Sequence, residues 1–556
     1  MRSYVEPGSI RWVMRRAQWG IYGITAEDMD KPKIAIVNAS STLAACFAHL
    51  DDIAAKLKEE IRAAGGIPFE IRTVAPSDAV TNIGKNGGYI LPARDLIVND
   101  IEVAVEGALL DGMVCLVSCD KTVPGMLMAA ARINIPTIVV ACGYQPSGQY
   151  KGKPIDFEDV WFNAVKRQTG EADYTVEELE EMSQNAILGP GVCAGLGTAN
   201  TMHIVCEALG MALPGTTPVL ANSEKMWAAV RLAAQRIIQM IWEDLKPRDI
   251  LTPEAFANAV KVVLSVSGSI NAAKHLQALA KEARCPVDVY RLFEQFADQI
   301  PLLSAVRPNG EHTIEQFEQA GGTQGVMKQL EQVLTTDIIT VSGKTVAENL
   351  KNVTVQNEDV IRPMANAFNY RPSIVLVRGS LAPETGIIKL PVTEERPLKF
   401  RGPAIVFESA QQAIEGVEQG LIKPGHVVVL RGLGPKGTPG MGMATNFVFA
   451  LNSAGLGDKV AVVTDGQQSG LSNHMLAVNE VSPEAADGGP IALVENGDMI
   501  SIDVEKRFVN LEVAEEVLEE RRQKLSLSYT SDERGWLQIY QSRVGSLPES
   551  GGSLVR

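Results

Sequence analysis

Over its first 150 residues the chain alternates short apolar runs with longer stretches of helical period. Residues 34–37 make a compact apolar run, and residues 50–64 space their apolar side chains for one helix face, with charges outside. Gly65-Gly66 stops that helix, and residues 68–74 read as another strand. Residues 92–110 predict a long helix with Pro92 at its start, where a missing N–H is harmless. The runs 112–117 and 137–141 predict two more strands, with helix formers over 126–133 between them. Strand–helix–strand alternation of this kind predicts a parallel sheet covered on both faces.

Ahead of this pattern the opening residues read as irregular and basic, with Arg11, Arg15 and Arg16, an arm suited to lying across a partner subunit. Residues 150–180 form a polar and aromatic excursion. It contains a helix near 176–182, whose start is marked by Thr175 and, three residues later, Glu178. Further helices are expected over 201–212, 227–242 (strongly amphipathic), 253–263, 272–283 and 287–297. After about residue 370 the texture changes to short β-rich runs at 374–377, 387–390, 427–430, 460–463, 491–494 and 499–504. Gly/Pro turns separate them, and the pattern fits a barrel or a sandwich. A boundary near Tyr370 divides the chain into residues 1–370 and 371–556.

A chain of 556 residues exceeds one hydrophobic core, so about two to four domains are expected. A net charge of -15 argues against nucleic acid or an anionic membrane as the main partner. No apolar run reaches the roughly 18 to 20 residues of a membrane span. The first residues lack the apolar core of a secretory signal, so a cytoplasmic location is expected. Seven Cys, an odd number in a chain expected to be intracellular, argue against a disulfide framework. No CxxC pair occurs, so a metal or cluster site has to be assembled from distant segments.

The densest chemistry lies just after the run 112–117, where Cys119, Asp120 and Lys121 follow one another before Pro124-Gly125. Reactive groups at the carboxyl end of a strand occupy the place where open α/β sheets bind ligands. Read alone, Cys119 is better explained as a small packed residue with Asp120 and Lys121 in water, because free Cys is usually buried and inert. The stretch 189–198, with Gly189, Gly191, Gly195 and Gly197 around Cys193, lets backbone approach a bound group closely, or is a plain flexible connection.

Together these segments resemble the family of dihydroxy-acid, phosphogluconate and sugar-acid dehydratases over roughly residues 33–504. The resemblance rests on Cys119-Asp120-Lys121-Thr122-Val123-Pro124-Gly125-Met126, on Cys193 followed by Gly197-Thr198-Ala199-Asn200-Thr201-Met202, and on Asp359-Val360-Ile361-Arg362-Pro363. It also rests on Gly379-Ser380-Leu381-Ala382-Pro383, Gly434-Pro435-Lys436-Gly437, Thr464-Asp465-Gly466 and Pro483-Glu484-Ala485. The resemblance implies an α/β N-terminal domain, a C-terminal β-barrel domain carrying the catalytic serine, and a homodimer or homotetramer with the active site at a subunit interface. It implies a [2Fe-2S] cluster, with [4Fe-4S] the lesser alternative, held by Cys46, Cys119 and Cys193. Three thiolates leave one iron coordination position open for Lewis-acid work. It also implies Mg²⁺ on Asp78, Asp120 and a carbamylated Lys121, against a plain salt bridge for that lysine. Ser469 corresponds to the serine that relatives use as base, which needs nearby metal charge to ionise. Cys115, Cys142, Cys206 and Cys285 are left to the core.

Three positions depart from the family. Met443 stands where relatives have a magnesium-binding Glu, and a thioether does not replace a carboxylate for a hard ion. Glu480 stands where they have His, and residues 79–86 lack the usual glycine- and methionine-rich pattern. The expected activity is an iron–sulfur-dependent hydro-lyase converting a 2,3-dihydroxy carboxylate to a 2-oxo acid, with a small sugar acid or related hydroxy acid favoured over the branched-chain precursor. The alternatives are an offshoot doing another elimination and a non-catalytic cluster-binding paralogue.

Overall fold

The computed structural model describes every residue except 169, 171, 392–396, 469–474, 527–533 and 556, and the side chains of 85 and 86. The first sheet is built from β1 (Lys33–Asn38), β2 (Ile67–Arg72), β3 (Gly112–Val117) and β4 (Thr137–Ala141). All pairings are parallel, in the order β2-β1-β3-β4, with Val37 opposite Ile71 on one side and Cys115 on the other. Every residue of β1, β3 and β4 is buried, as expected of strands covered on both faces. Helices Leu50–Ala63 and Glu224–Glu243 pack against each other and the sheet, while Ile90–Ala108 pairs with Thr122–Ile133. Asn271–Ala283 then lies on Thr122–Ile133, so that one central core runs from β1 to this outer helix. A small hairpin of β5 (Gly148–Tyr150) and β6 (Lys153–Ile155) opens the expected excursion. Its helix Val176–Ala186 carries the anticipated capping box at Thr175 and Glu178.

The second sheet contains β7 (Ile374–Val377), β8 (Thr385–Lys389), β9 (Lys399–Phe407), β10 (Val427–Leu430), β11 (Ala461–Thr464), β12 (Leu476–Ser482), β13 (Met499–Asp503) and β14 (Phe508–Leu511). Its order is β14-β13-β9-β10-β11-β12-β8-β7, and a bridge between Arg378 and Phe508 brings the two ends together. The result is a nearly closed eight-stranded barrel and a mixed α/β fold overall. Strand alternation sorts the side chains. Val427 and Val429 fill the interior, while Val428 and Leu430 pack under helices Ala410–Glu418 and Thr445–Ser453. Ile374, Leu376 and Ile387 turn the other way, into the core of the first sheet.

Several expectations change. The opening residues are irregular only as far as residue 9: Ile10–Trp19 is a helix capped by Ser9, and Arg15 ties it down by donating to the carbonyls of Ser3 (2.9 Å) and Ala108 (2.8 Å). The apolar run 491–494 is not a strand. Pro490 starts a short 3-10 turn, Pro490–Leu493, whose side chains plug the barrel without joining its ladder. Pro92 is the third residue of Ile90–Ala108, still within the first turn, where no N–H is needed. Among the described residues no helix is long and apolar enough to cross a membrane.

Candidate active site

Three loops meet at the carboxyl edge of the first sheet. β3 ends at Val117, and the turn Ser118–Lys121 leads directly into helix Thr122–Ile133. Thr122 Oγ1 closes this turn, accepting from the Ser118 amide (3.0 Å) and donating to the Cys119 carbonyl (2.8 Å). Ser118 Oγ reaches the second loop, donating to the Cys46 carbonyl at 2.5 Å. Behind it the buried His203 contributes Nε2 to the Ser118 carbonyl (3.1 Å). Burial lowers the His203 pKa to about 4, so the ring is neutral at pH 7 and a ring N–H is available to donate. The third loop is held by Asn200, whose Nδ2 donates to the carbonyls of Cys193 (2.9 Å) and Gly195 (2.8 Å). The Gly191 amide ties this loop to the Cys46 loop through the Ala45 carbonyl (3.3 Å).

These braces bring the three expected thiols together. Cys46 and Cys119 hydrogen-bond to each other, and Cys193 lies close enough to repel charge on either. The hydrogen bond to Cys119, then burial, drives the Cys46 pKa up, and the same bond lowers that of Cys119. Burial, then the charge of Cys119, raises Cys193 well above the usual thiol range. All three are free thiols. Cys115, Cys142 and Cys206 are buried in the strands and helix behind, whereas Cys285 is only partly buried against the same core.

The expected oxygen ligands are also gathered. Lys121 Nζ lies 2.8 Å from Asp78 Oδ2 and 3.9 Å from Asp120 Oδ2. Burial works to depress the Lys121 pKa, but the charges of Asp78 and Asp120 outweigh it and hold the ammonium charged. Burial, then Asp78, pushes Asp120 well above the ordinary carboxylate range. Asp78 Oδ1 is buried without a partner, an oxygen available to a cation. As a plain ammonium, however, Lys121 fills the space between the carboxylates with its own charge. Among the described residues no three His, Cys, Asp or Glu side chains close round a single point. The donors therefore fit Mg²⁺ only if Lys121 surrenders its charge. Three thiols gathered at one sheet edge without a cation among them fit an iron–sulfur cluster, which Cys thiolates would hold. Ser469 lies outside the described residues.

The barrel supplies the opposite wall. Asp465 accepts from the amides of Gly432 (3.0 Å), Leu433 (2.9 Å) and Ala485 (2.9 Å), and Glu484 from those of Lys436 (3.0 Å) and Gly437 (2.9 Å). These two carboxylates give the Thr-Asp-Gly, Gly-Pro-Lys-Gly and Pro-Glu-Ala motifs a common purpose: they shape the loop 432–442. A β-carbon at Gly434 would sit 2.2 Å from Glu484 Oε2, so only glycine permits this wrap. Met443 pairs with Gln467, and its Cγ comes within 3.6 Å of where a β-carbon on Gly87 would stand.

The match to known proteins follows the same residues. The N-terminal model of the dihydroxy-acid/6-phosphogluconate dehydratases covers residues 31–349, and the C-terminal model covers residues 359–551. The chain belongs to this family. It is 38% identical over 544 residues to the dihydroxy-acid dehydratase of Ignicoccus hospitalis, covering 97% of each chain. The dihydroxy-acid dehydratase of Caldicellulosiruptor saccharolyticus is also 38% identical, over 98% of this chain and 99% of its own. That of Pyrococcus furiosus is 39% identical, over 100% of both. Family membership makes the chain a hydro-lyase by class.

Some neighbours of this dehydratase site went unnoticed in the sequence. Glu158 is buried beside Cys193, and burial, then Asp156 and Asp159, pushes its carboxyl up to about 8. Lys274 and Glu480 form a fully buried ion pair at 2.6 Å. Glu480 was visible as a departure from the family, but its partner was not. A lysine between Ala273 and Leu276, inside an apolar helix, is the signal that was available.

Proposed function

We propose that this dehydratase removes water from a 2,3-dihydroxy carboxylate to give a 2-oxo acid. The observation that carries the reading is the convergence of Cys46, Cys119 and Cys193 with Asp78, Asp120 and Lys121 at one sheet edge, in a chain of this family. In the reaction the C2 proton passes to a base, and hydroxide leaves C3 and takes a proton to become water. The resulting enol then gains a proton at C3 as the C2 oxygen becomes a carbonyl. Cys46, Cys119 and Cys193 would hold an iron–sulfur cluster, with [2Fe-2S] as its proposed form, and the cluster would supply Lewis acidity for the leaving hydroxyl. Asn200, Ser118 and His203 keep the three loops in place, and burial of Cys46 and Cys119 keeps bulk water off these two thiols, while Cys193 is only partly buried.

Ser469 is the proposed base, by its resemblance to the serine of relatives. Mg²⁺ binding by Asp78 and Asp120 requires carbamylation of Lys121, which exchanges an ammonium for oxygen donors. Met443 contributes no carboxylate, so Mg²⁺ would need a further oxygen donor from the substrate and would bind weakly without it. A small sugar acid is the proposed substrate, and a cytoplasmic homodimer or homotetramer the proposed form. The test is a screen of 2,3-dihydroxy acids, run anaerobically, for 2-oxo acid trapped as a hydrazone. Wild type and Cys115→Ser should both give product, and Cys119→Ser should give none. An iron-loaded wild type silent on every acid sinks the reading in favour of a different elimination.

A further inference from the structure

Where helix Asn271–Ala283 meets the barrel, the Lys274 ammonium donates to Gln467 Oε1 (3.1 Å) and Glu480 Oε1 (2.6 Å). These are its two hydrogen-bond acceptors among the described residues, and an ammonium has three hydrogens. Glu480 Oε2, on the same carboxylate, is buried and has no partner. Tyr290 Oη, which feels the charge of Glu480, is likewise buried and unpaired. Buried polar groups are normally satisfied, so a donor and an acceptor left open side by side call for an occupant.

Their place in the fold says which occupant. Lys274 also feels the charge of Lys121, and Gln467 is paired with Met443. The ion pair therefore joins helix Asn271–Ala283 to the barrel within electrostatic reach of Lys121. Glu480 is held at φ 55°, a rare conformation for a residue other than glycine, within an irregular stretch of β12 between Asn479 and Ser482. The backbone is thus bent where the carboxylate is presented. A hydroxyl group is both donor and acceptor: it can accept the third ammonium hydrogen while donating to Glu480 Oε2. An alkyl group satisfies neither. The pair is neutral as a whole, so an anionic substrate is not repelled.

We propose that Lys274 and Glu480 form a specificity pair that receives a substrate hydroxyl beyond the two involved in dehydration, so that polyhydroxylated acids are preferred. The proposal rests on the dehydratase reading, and its test separates the two. The probes are 2,3,4-trihydroxybutanoate and 2,3-dihydroxybutanoate, each diastereomer in turn, with binding measured by calorimetry and turnover by 2-oxo acid formation. Wild type should favour the trihydroxy acid by about tenfold or more in kcat/KM and in affinity. The double variant K274M/E480Q, which leaves no buried charge unpaired, should bring both ratios near one, mainly through KM. E480Q alone, close in shape to the native residue, serves if the double variant does not fold. Equal handling of the two acids by wild type, or a preference that survives in the variants, overturns the proposal. A binding preference that the variants lose, with no 2-oxo acid from either probe, sustains the pair and sinks the reaction.

Discussion

Asn200 tests whether the cysteine loops are held rigid by their surroundings. Its side chain is almost wholly buried, and its amide bridges the Cys193 and Gly195 carbonyls at 2.9 and 2.8 Å. Both partners are acceptors, so the NH₂ end has to face them, and aspartate at this position offers no donor. Asn200→Asp removes two hydrogen bonds without leaving a cavity. At roughly 1 kcal/mol each, plus the penalty of carbonyls left unmet in a buried loop, the loss is about 2–4 kcal/mol. Because the strain falls on one loop, it should appear as local opening, about 30- to 700-fold more frequent. Native-state hydrogen exchange of peptides spanning 189–197 reads this directly, with helix Pro253–Ser265 as the internal reference. The reasoning is refuted if exchange in that loop changes less than about threefold while the variant stays folded.

Breaking the Lys274–Glu480 pair from one side should be costly. Lys274→Met strands a fully buried carboxylate and should lower stability by about 3–5 kcal/mol, whereas K274M/E480Q should recover most of the loss in a chemical denaturation series. His203 should make the protein acid-sensitive in a defined window. Its folded pKa of about 4 lies below the unfolded value, so the unfolded chain binds the extra proton as pH falls from about 6.5 to 4. Stability should drop by roughly 3 kcal/mol across that window, and His203→Gln should flatten the slope there. Met443→Glu should raise Mg²⁺ affinity in the substrate-free enzyme, measured by calorimetry; unchanged affinity would place the ion elsewhere.

The first sheet was legible because β1, β3 and β4 are largely apolar runs, as parallel strands buried on both faces require, while the edge strand β2 carries Glu70 and Arg72. The barrel was legible in part. β9 escaped notice because Gly402 and Pro403 interrupt it, yet Pro403 faces only β13, and the parallel ladder with β10 starts one residue later at Ala404. β12 was hidden by Asn479 and Glu480, polar residues whose partners come from elsewhere: Lys274 is 206 positions away from Glu480. The run 491–494 misled because four apolar residues are as good a plug as a strand, and only pairing distinguishes them. At the site, the reactive side chains Cys119, Asp120 and Lys121 announced themselves at a strand end. Asn200, His203 and Ser118 did not, because a brace is recognised by what it touches, and sequence spacing does not carry that.

The proposed function couples dehydration to a thiol-held cluster. It is tested most directly by measuring 2-oxo acid formed from a 2,3-dihydroxy acid by anaerobically prepared protein, together with iron and sulfide per chain, before and after the iron is stripped and restored. Turnover should vanish with the iron and return with it, with Cys119→Ser inactive and free of cluster throughout. Full turnover by protein that contains no iron would contradict the account.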